Sequence, residues 1–148
     1  MKWKLTVASS IILLSVMSLI TLGLPKNIYA ENSKVDYNAL SWEAEDLNAK
    51  QKHQQVIDLL KPHAEDKKNK SAYFFNELGT AYFNKQDNLN AKKYFAVAHK
   101  INKNDPKIIY NLASAMAILE DYEEALKLFN LAEKKGFDKR MIKEWRVW

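Results

Sequence analysis

The sequence predicts an all-α fold, a helix–turn–helix solenoid of about three repeats followed by a C-terminal capping helix. Three observations predict it: an internal repeat, apolar residues spaced three or four apart, and only 3 Gly and 3 Pro among 148 residues. Advancing the numbering by 34 pairs residues of similar size: Leu78 with Leu112, Gly79 with Ala113, Tyr82 with Met116, Ala91 with Ala125, Tyr94 with Leu128, Phe95 with Phe129 and Ala98 with Ala132. A fixed period of this length is typical of stacked helical hairpins.

The central unit, residues 72–105, divides into two amphipathic helices. The apolar or small positions of the first are Phe75, Leu78, Gly79 and Tyr82, and those of the second are Leu89, Tyr94, Phe95 and Ala98. Asp87 or Asn88 suits the N-cap of the second helix. We expect Gly79 to lie against Ala91 and Ala98 where the helices cross, because a large side chain there would hold the backbones apart.

Residues 72–139 resemble the tetratricopeptide repeat, whose pattern runs Leu-Gly-x-x-Tyr and then Ala, Phe and Ala at fixed offsets. The unit at 72–105 carries Phe75, Leu78, Gly79, Tyr82, Ala91, Phe95 and Ala98, and the unit at 106–139 carries Ile109, Leu112, Ala113, Met116, Ala125, Phe129 and Ala132. The run from Asp121 to Ala125 also resembles the family's turn and second-helix start. The resemblance implies a concave groove for a protein or peptide. Taken with the N-terminal residues described below, it indicates a small exported bacterial member of this family.

A degenerate unit is predicted at residues 37–71. Its Ala44, Leu47, Val56, Leu60 and His63 correspond, at an offset of 35, to Gly79, Tyr82, Ala91, Phe95 and Ala98. Glu43 and His63 depart from the pattern, as terminal repeats often do. Pro62 is expected to end or kink the second helix of this unit.

The C-terminal residues predict a last, separate helix. Gly136 suits a left-handed cap that ends the third unit. Residues 140–148 then read as a capping helix with Met141, Ile142, Trp145 and Trp148 on or near one face. This stripe either covers the exposed end of the solenoid or contacts a partner.

The N-terminal residues predict export. Lys2 and Lys4 precede an uncharged run at residues 5–24, and Ala30 suits the last residue before cleavage. Residues 1–30 therefore read as a signal peptide or, because the run is long enough to span a bilayer, as a retained inner-membrane anchor with a tether at 5–24. Residues 31–36 read as a linker to a repeat domain at 37–148. Either reading places the domain outside the cytoplasm, as a periplasmic or other extracytoplasmic protein.

Composition and motifs favour a protein without chemistry of its own. Three of the 23 Lys and Arg residues fall in the predicted leader, leaving 20 against 18 acidic residues, which does not indicate nucleic-acid binding. The lack of Cys excludes disulfides and thiolate sites. His53, His63 and His99 show no metal-ligand spacing. We therefore predict no cofactor, no metal site and no catalytic residue.

The resemblance implies which residues line the concave groove. They are Tyr73, Asn76, Thr80, Phe83, Asn84, Lys107, Tyr110 and Ser114, with Ala117, Ile118 and, from the degenerate unit, Asn38, Ser41, Glu45, Asn48 and Ala49. Aromatic side chains there could anchor a peptide and Asn76 could bond its backbone, although Tyr73, Phe83 and Tyr110 could instead pack between repeats. Some members of the family bind a C-terminal carboxylate with Lys and Asn at two of these positions. Ser41 and Glu45 occupy those positions here, which disfavours carboxylate binding.

The sequence favours one function class and leaves two others open. The leading hypothesis is an exported adaptor or assembly factor of the bacterial cell envelope. The second is a membrane-anchored subunit of an envelope complex of the cytochrome-maturation, pilus or aerotolerance type. A secreted effector ranks below both. No residue pattern names the partner, the pathway or the oligomeric state.

Overall fold

The computed structural model describes residues 35–145. The predicted leader, most of the linker and residues 146–148, with Trp148, lie outside the described residues. The helices are α1 Tyr37–Ala49, α2 His53–Leu60, a 3₁₀ helix Lys61–His63, α3 Ala72–Asn84, α4 Asn88–Ile101, α5 Pro106–Ile118, α6 Tyr122–Lys134 and α7 Lys139–Lys143. No strand occurs between residues 35 and 145, and the predicted all-α class is confirmed.

The helices pack as three successive hairpins. Helices α1 and α2 form the first hairpin, α3 and α4 the second, and α5 and α6 the third. Helix α3 contacts α1 on one side and α5 on the other, and α4 contacts α5. The first helices of the hairpins, α1, α3 and α5, therefore form one continuous surface, which we call the groove face.

The N-caps of the first helices show the repeat directly. The side chains of Asp36, Ser71 and Asp105 each accept hydrogen bonds from backbone N–H groups of the first turn. Asp138 caps α7 in the same way, so the four caps follow at intervals of 35, 34 and 33 residues. Helix α7 thus begins where a fourth first helix would begin. The second helix of the central unit starts after Asp87, which accepts a bond from the N–H of Asn90.

Each first helix ends in a left-handed residue. Gln51, Gln86 and Glu120 have φ values of 58°, 64° and 65°. At the end of α3, for example, the N–H of Asp87 donates to the carbonyl of Tyr82, which satisfies a carbonyl that the helix leaves unpaired. The same arrangement ends α6 at Gly136, whose φ is 98°, so the predicted glycine cap is confirmed.

Helices α3 and α4 approach each other closely inside the central hairpin. The ring of Phe95, which is 2% exposed, lies directly against Gly79. A Cβ built on Gly79 would lie 2.6 Å from Cδ1 of that ring. We expected small residues on both sides of this crossing, but the glycine accommodates an aromatic ring on α4.

The first and last elements differ most from the central unit. Helix α2 ends at Leu60 and gives way to a 3₁₀ turn that contains Pro62, as the sequence predicted. Helix α7 spans only five residues, fewer than the helix expected at 140–148. Ile142 is fully buried in the core of the third hairpin. Trp145 follows the end of α7, and its backbone N–H donates to the carbonyl of Ile142. This turn brings the Trp145 ring back toward α5.

The described helices lack the combination of length and apolar character that a membrane span requires. The candidate tether at 5–24 lies outside the described residues, so it stays a prediction.

We expect Gly79→Ala to lower the free energy of unfolding. The added methyl group must displace Phe95, at a cost of about 1–3 kcal/mol, against a gain in helix propensity of about 1 kcal/mol. Urea denaturation of the two proteins measures the difference. A second variant that also carries Phe95→Leu should recover part of the loss. Equal stability of Gly79→Ala and the parent would show that the close approach does not constrain the hairpin.

We expect Gln86→Gly to raise the free energy of unfolding by about 1 kcal/mol, because a left-handed conformation costs a residue with a Cβ about that much. Gln86 is exposed, so its side chain contributes little packing. Thermal denaturation should show a melting temperature a few degrees higher. The matched control is Gln86→Ala, which keeps the Cβ and should not stabilise; a glycine variant no more stable than the alanine variant contradicts the prediction.

Candidate functional site

Five of the eight predicted groove residues line one pocket between α3 and α5. They are Thr80, Phe83, Asn84, Tyr110 and Ser114. The pocket has a volume of about 200 Å³. Its remaining lining residues are Phe95, Asn111 and Trp145. The groove face therefore contains a recess, and the structure brings five of the predicted groove residues together there.

Four of the eight residues that line the pocket are aromatic. The ring of Phe83 lies 6.3 Å from that of Phe95, measured between centroids. The ring of Tyr110 stacks on Phe137 at 4.2 Å. Trp145 stacks on Phe129 at 5.7 Å, and its indole N–H donates to the hydroxyl oxygen of Tyr110 at 3.1 Å. These contacts hold Tyr110 and Trp145 in fixed orientations at one side of the recess.

The two aliphatic hydroxyl groups of the pocket, those of Thr80 and Ser114, already donate hydrogen bonds within their own helices. Thr80 donates to the carbonyl of Asn76 at 2.9 Å, and Ser114 donates to the carbonyl of Tyr110 at 2.9 Å. Each hydroxyl thus bonds the preceding helical turn, as Ser and Thr often do inside helices. Towards a ligand these oxygens can only accept hydrogen bonds. The side chain of Asn84 is exposed at the rim and can both donate and accept.

Asn76, expected to bond a ligand's backbone, lies instead in a buried network between the hairpins. It is fully buried. Its amide donates to the carboxylate of Glu77 at 3.0 Å, and its carbonyl oxygen accepts from Asn111 at 2.9 Å. Asn48 of α1 donates to the same carboxylate at 2.9 Å. We call these four residues the amide ladder, and they join α1, α3 and α5.

Tyr73 and Lys107 lie on the groove face but do not line the pocket. The Tyr73 hydroxyl donates to the Asp105 carboxylate at 3.1 Å, and this bond raises the pKa of the phenol. The ammonium of Lys107 lies 3.8 Å from carboxylate oxygens of both Glu45 and Glu77. The charged side chains of this region therefore lie close to groups of opposite charge. The exposed ion pair of Lys107 with Glu45 contributes little to stability.

The predicted positions of the degenerate repeat are largely occupied by contacts within the chain. Ser41 is buried and donates to the carbonyl of Asn38 at 2.7 Å. The side-chain oxygen of Asn38 accepts from Ser71 at 3.0 Å. Glu45 and Ala49 are exposed. On the third hairpin, Ala117 is buried and Ile118 is exposed.

Trp145 is the groove residue that the sequence reasoning placed elsewhere. It was expected on a terminal helix, either as a cover for the stack or as a partner contact. The signal that could have located it is Asp138, which continues the interval of the first-helix caps. The Asp138 carboxylate accepts bonds from the N–H and the guanidinium of Arg140, and these hold its pKa at about 2. The cap of α7 therefore stays ionised at neutral pH.

The described residues contain no cluster of three or more His, Asp or Glu side chains with a geometry that could hold a metal ion. The pocket residues include aromatic, amide and hydroxyl groups, none of them charged. Such a set can stack on apolar or aromatic groups and can hydrogen-bond a peptide backbone.

No protein-family model matches the chain, and no curated protein sequence is similar to it. Solved structures, among them the following two, resemble its fold. One comes from the functional characterization of Pseudomonas aeruginosa pilF, a tetratricopeptide-repeat protein, with a TM-score of 0.62 and 18% identity over 70% of this chain and 47% of that one. The CopN–Scc3 complex matches with a TM-score of 0.61 and 18% identity over 87% of this chain and 80% of that one.

This chain thus spans about half the length of the pilF chain. Identities this low show the fold alone. The described residues have the fold of tetratricopeptide-type helical repeat proteins, which are typically protein-interaction modules without catalytic activity.

Proposed function

We propose that this protein is an exported interaction module of the bacterial cell envelope, an adaptor or assembly factor that binds a protein or peptide on its groove face and has no catalytic activity of its own. The observation that carries the proposal is the uncharged pocket between α3 and α5, lined by aromatic and amide side chains. Aromatic side chains are enriched where proteins anchor a partner. The likeness to a tetratricopeptide-type fold, and to a chain solved within a two-protein complex, supports the same reading.

The envelope location rests on the N-terminal sequence. Lys2, Lys4, the uncharged run at 5–24 and Ala30 together have the order of a secretory signal.

A second candidate function is a membrane-anchored subunit of an envelope complex. The observation that favours it is the length of the uncharged run at 5–24, which suits a single span of roughly 20 residues. In this arrangement the leader is retained and tethers the repeat domain to the membrane.

We expect Asn84→Arg to reduce partner recovery from an envelope extract by about tenfold or more. The substitution brings a cation to the rim of an uncharged pocket, where a partner would bury it without a counter-ion. Quantitative affinity capture with the purified variants measures the effect. The matched control is Ala96→Arg, which adds the same charge at an exposed position of α4 outside the pocket and should leave recovery unchanged.

Circular dichroism must show the same helicity for both variants. Equal recovery by parent, Asn84→Arg and Ala96→Arg would place the binding surface outside this pocket, for example on the second helices. Asn76 is unsuitable for this test, because its replacement would disrupt the hydrogen bonds of the amide ladder.

Intact mass of the protein produced in a bacterial host and fractionated distinguishes the two candidate functions. We expect a chain that begins at Glu31 in the soluble extracytoplasmic fraction, because Ala30 closes the predicted signal peptide. A chain that retains residues 1–30 in the membrane fraction would instead establish the anchored subunit. Recovery of the full chain from the cytoplasm would contradict both.

A further inference from the structure

We infer that the pocket between α3 and α5 takes one large apolar side chain, of the size of Phe or Leu, from an extended segment of the partner, and that Trp145 is the wall that sets its size. This inference rests on the proposed function, since it specifies what the groove face recognises. It adds a specificity-determining residue that lies beyond the three hairpins, after the short helix α7.

The size of the pocket limits the occupant. Small-molecule sites usually have volumes of roughly 300–1,000 Å³, whereas this pocket has about 200 Å³. A volume of that order accommodates a single large side chain. The pocket is also open at the rim, where Asn84 is exposed, so the side chain can enter while its backbone stays outside.

The charge of the pocket limits the chemistry of the occupant. None of its eight lining residues is ionisable at neutral pH. The charged groups of the groove face, Lys107 with Glu45 and Glu77, contact one another. An ionised side chain in the pocket would lose its hydration without gaining a counter-ion, which is strongly unfavourable. The aromatic rings of the pocket, by contrast, favour an apolar or aromatic group. They belong to Phe83, Phe95, Tyr110 and Trp145.

The rim supplies groups that suit a peptide backbone. Among the described residues, the side-chain amide of Asn84 makes no hydrogen bond, whereas Asn111 uses one amide hydrogen on Asn76. Both amides can therefore pair with backbone N–H and C=O groups. The hydroxyls of Thr80 and Ser114 keep only acceptor capacity, because each already donates to its own helix.

Trp145 closes the pocket from outside the repeats. Its ring stacks on Phe129 of α6, and its N–H bonds the Tyr110 hydroxyl of α5. The segment that carries it is anchored by Ile142, which is fully buried in the third hairpin. A smaller side chain at position 145 would leave the recess open on this side, so the occupant would lose contacts over one face.

The test uses the full chain, isotope-labelled, and capped tripeptides Ac-Ala-X-Ala-NH₂ with X as Phe, Leu, Ala, Lys or Glu. Nuclear magnetic resonance titrations follow the indole N–H of Trp145 and the side-chain amides of Asn84 and Asn111. We expect the Phe and Leu peptides to shift these signals. The Ala, Lys and Glu peptides should bind at least about tenfold more weakly, as is typical for loss of an apolar anchor or gain of an unpaired charge.

Substitutions then test whether Trp145 contributes to binding of the Phe peptide. Trp145→Ala should weaken binding of the Phe peptide at least about fivefold, and Trp145→Phe, which keeps an aromatic ring against Phe129, should weaken it less. Thr80→Leu fills the recess from α3 without altering the C-terminal segment and should also weaken binding, so the test does not depend on the folding of one variant. The matched control is Trp42→Ala, because Trp42 lies on α1 outside the pocket and is 71% exposed.

The outcomes separate this inference from the proposed function. Equal affinity for all five peptides, shifts confined to residues outside the pocket, or unchanged affinity in Trp145→Ala and Thr80→Leu would overturn the inference. If this happens while Asn84→Arg still reduces partner recovery, the groove face binds partners by other contacts. If the Phe peptide binds the pocket but Asn84→Arg and the parent recover partner equally, the proposed function fails and the pocket serves another ligand.

Discussion

Burying the carboxylate of Glu77 between three helices requires hydrogen-bond donors from more than one repeat, because a buried charge without partners is strongly destabilising. Glu77 is 5% exposed. Its partners come from α1 through Asn48, from its own helix through Asn76 and from α5 through the nearby ammonium of Lys107. A shift of any one helix along its neighbours would break part of this set. The carboxylate therefore helps to fix the positions of α1, α3 and α5 along one another.

The helices could be predicted from the sequence because the pattern that encodes them is local. Alternation of small and large residues, as at Gly79 and Phe95, lies within a single hairpin and recurs in the next one. The left-handed ends at Gln51, Gln86 and Glu120 gave no such signal, because none of them is Gly. Their conformation accompanies local hydrogen bonds at the helix ends, such as the one from the N–H of Asp87 to the carbonyl of Tyr82, and residues with a Cβ adopt it at a cost.

The candidate site could be predicted only in part, for a related physical reason. Positions such as Thr80 and Phe83 follow from helical periodicity, since their place on the helix face determines where they lie. The burial of Asn76 depends on Asn111, which is 35 residues away, and no single-helix pattern contains that pairing. The position of Trp145 likewise depends on the turn at Gly136 and on the apolar anchor of Ile142, which together return the chain to α5.

The attachment of the C-terminal segment has a thermodynamic consequence. Residues 138–145 are held by one short helix and few buried side chains, so their local opening requires less free energy than global unfolding. Any ligand that contacts Trp145 binds the docked form of the segment and not the open one. By linkage, occupancy of the pocket and docking of the segment favour each other by the same factor. Amide hydrogen exchange at residues 138–145 should therefore slow when a ligand occupies the pocket.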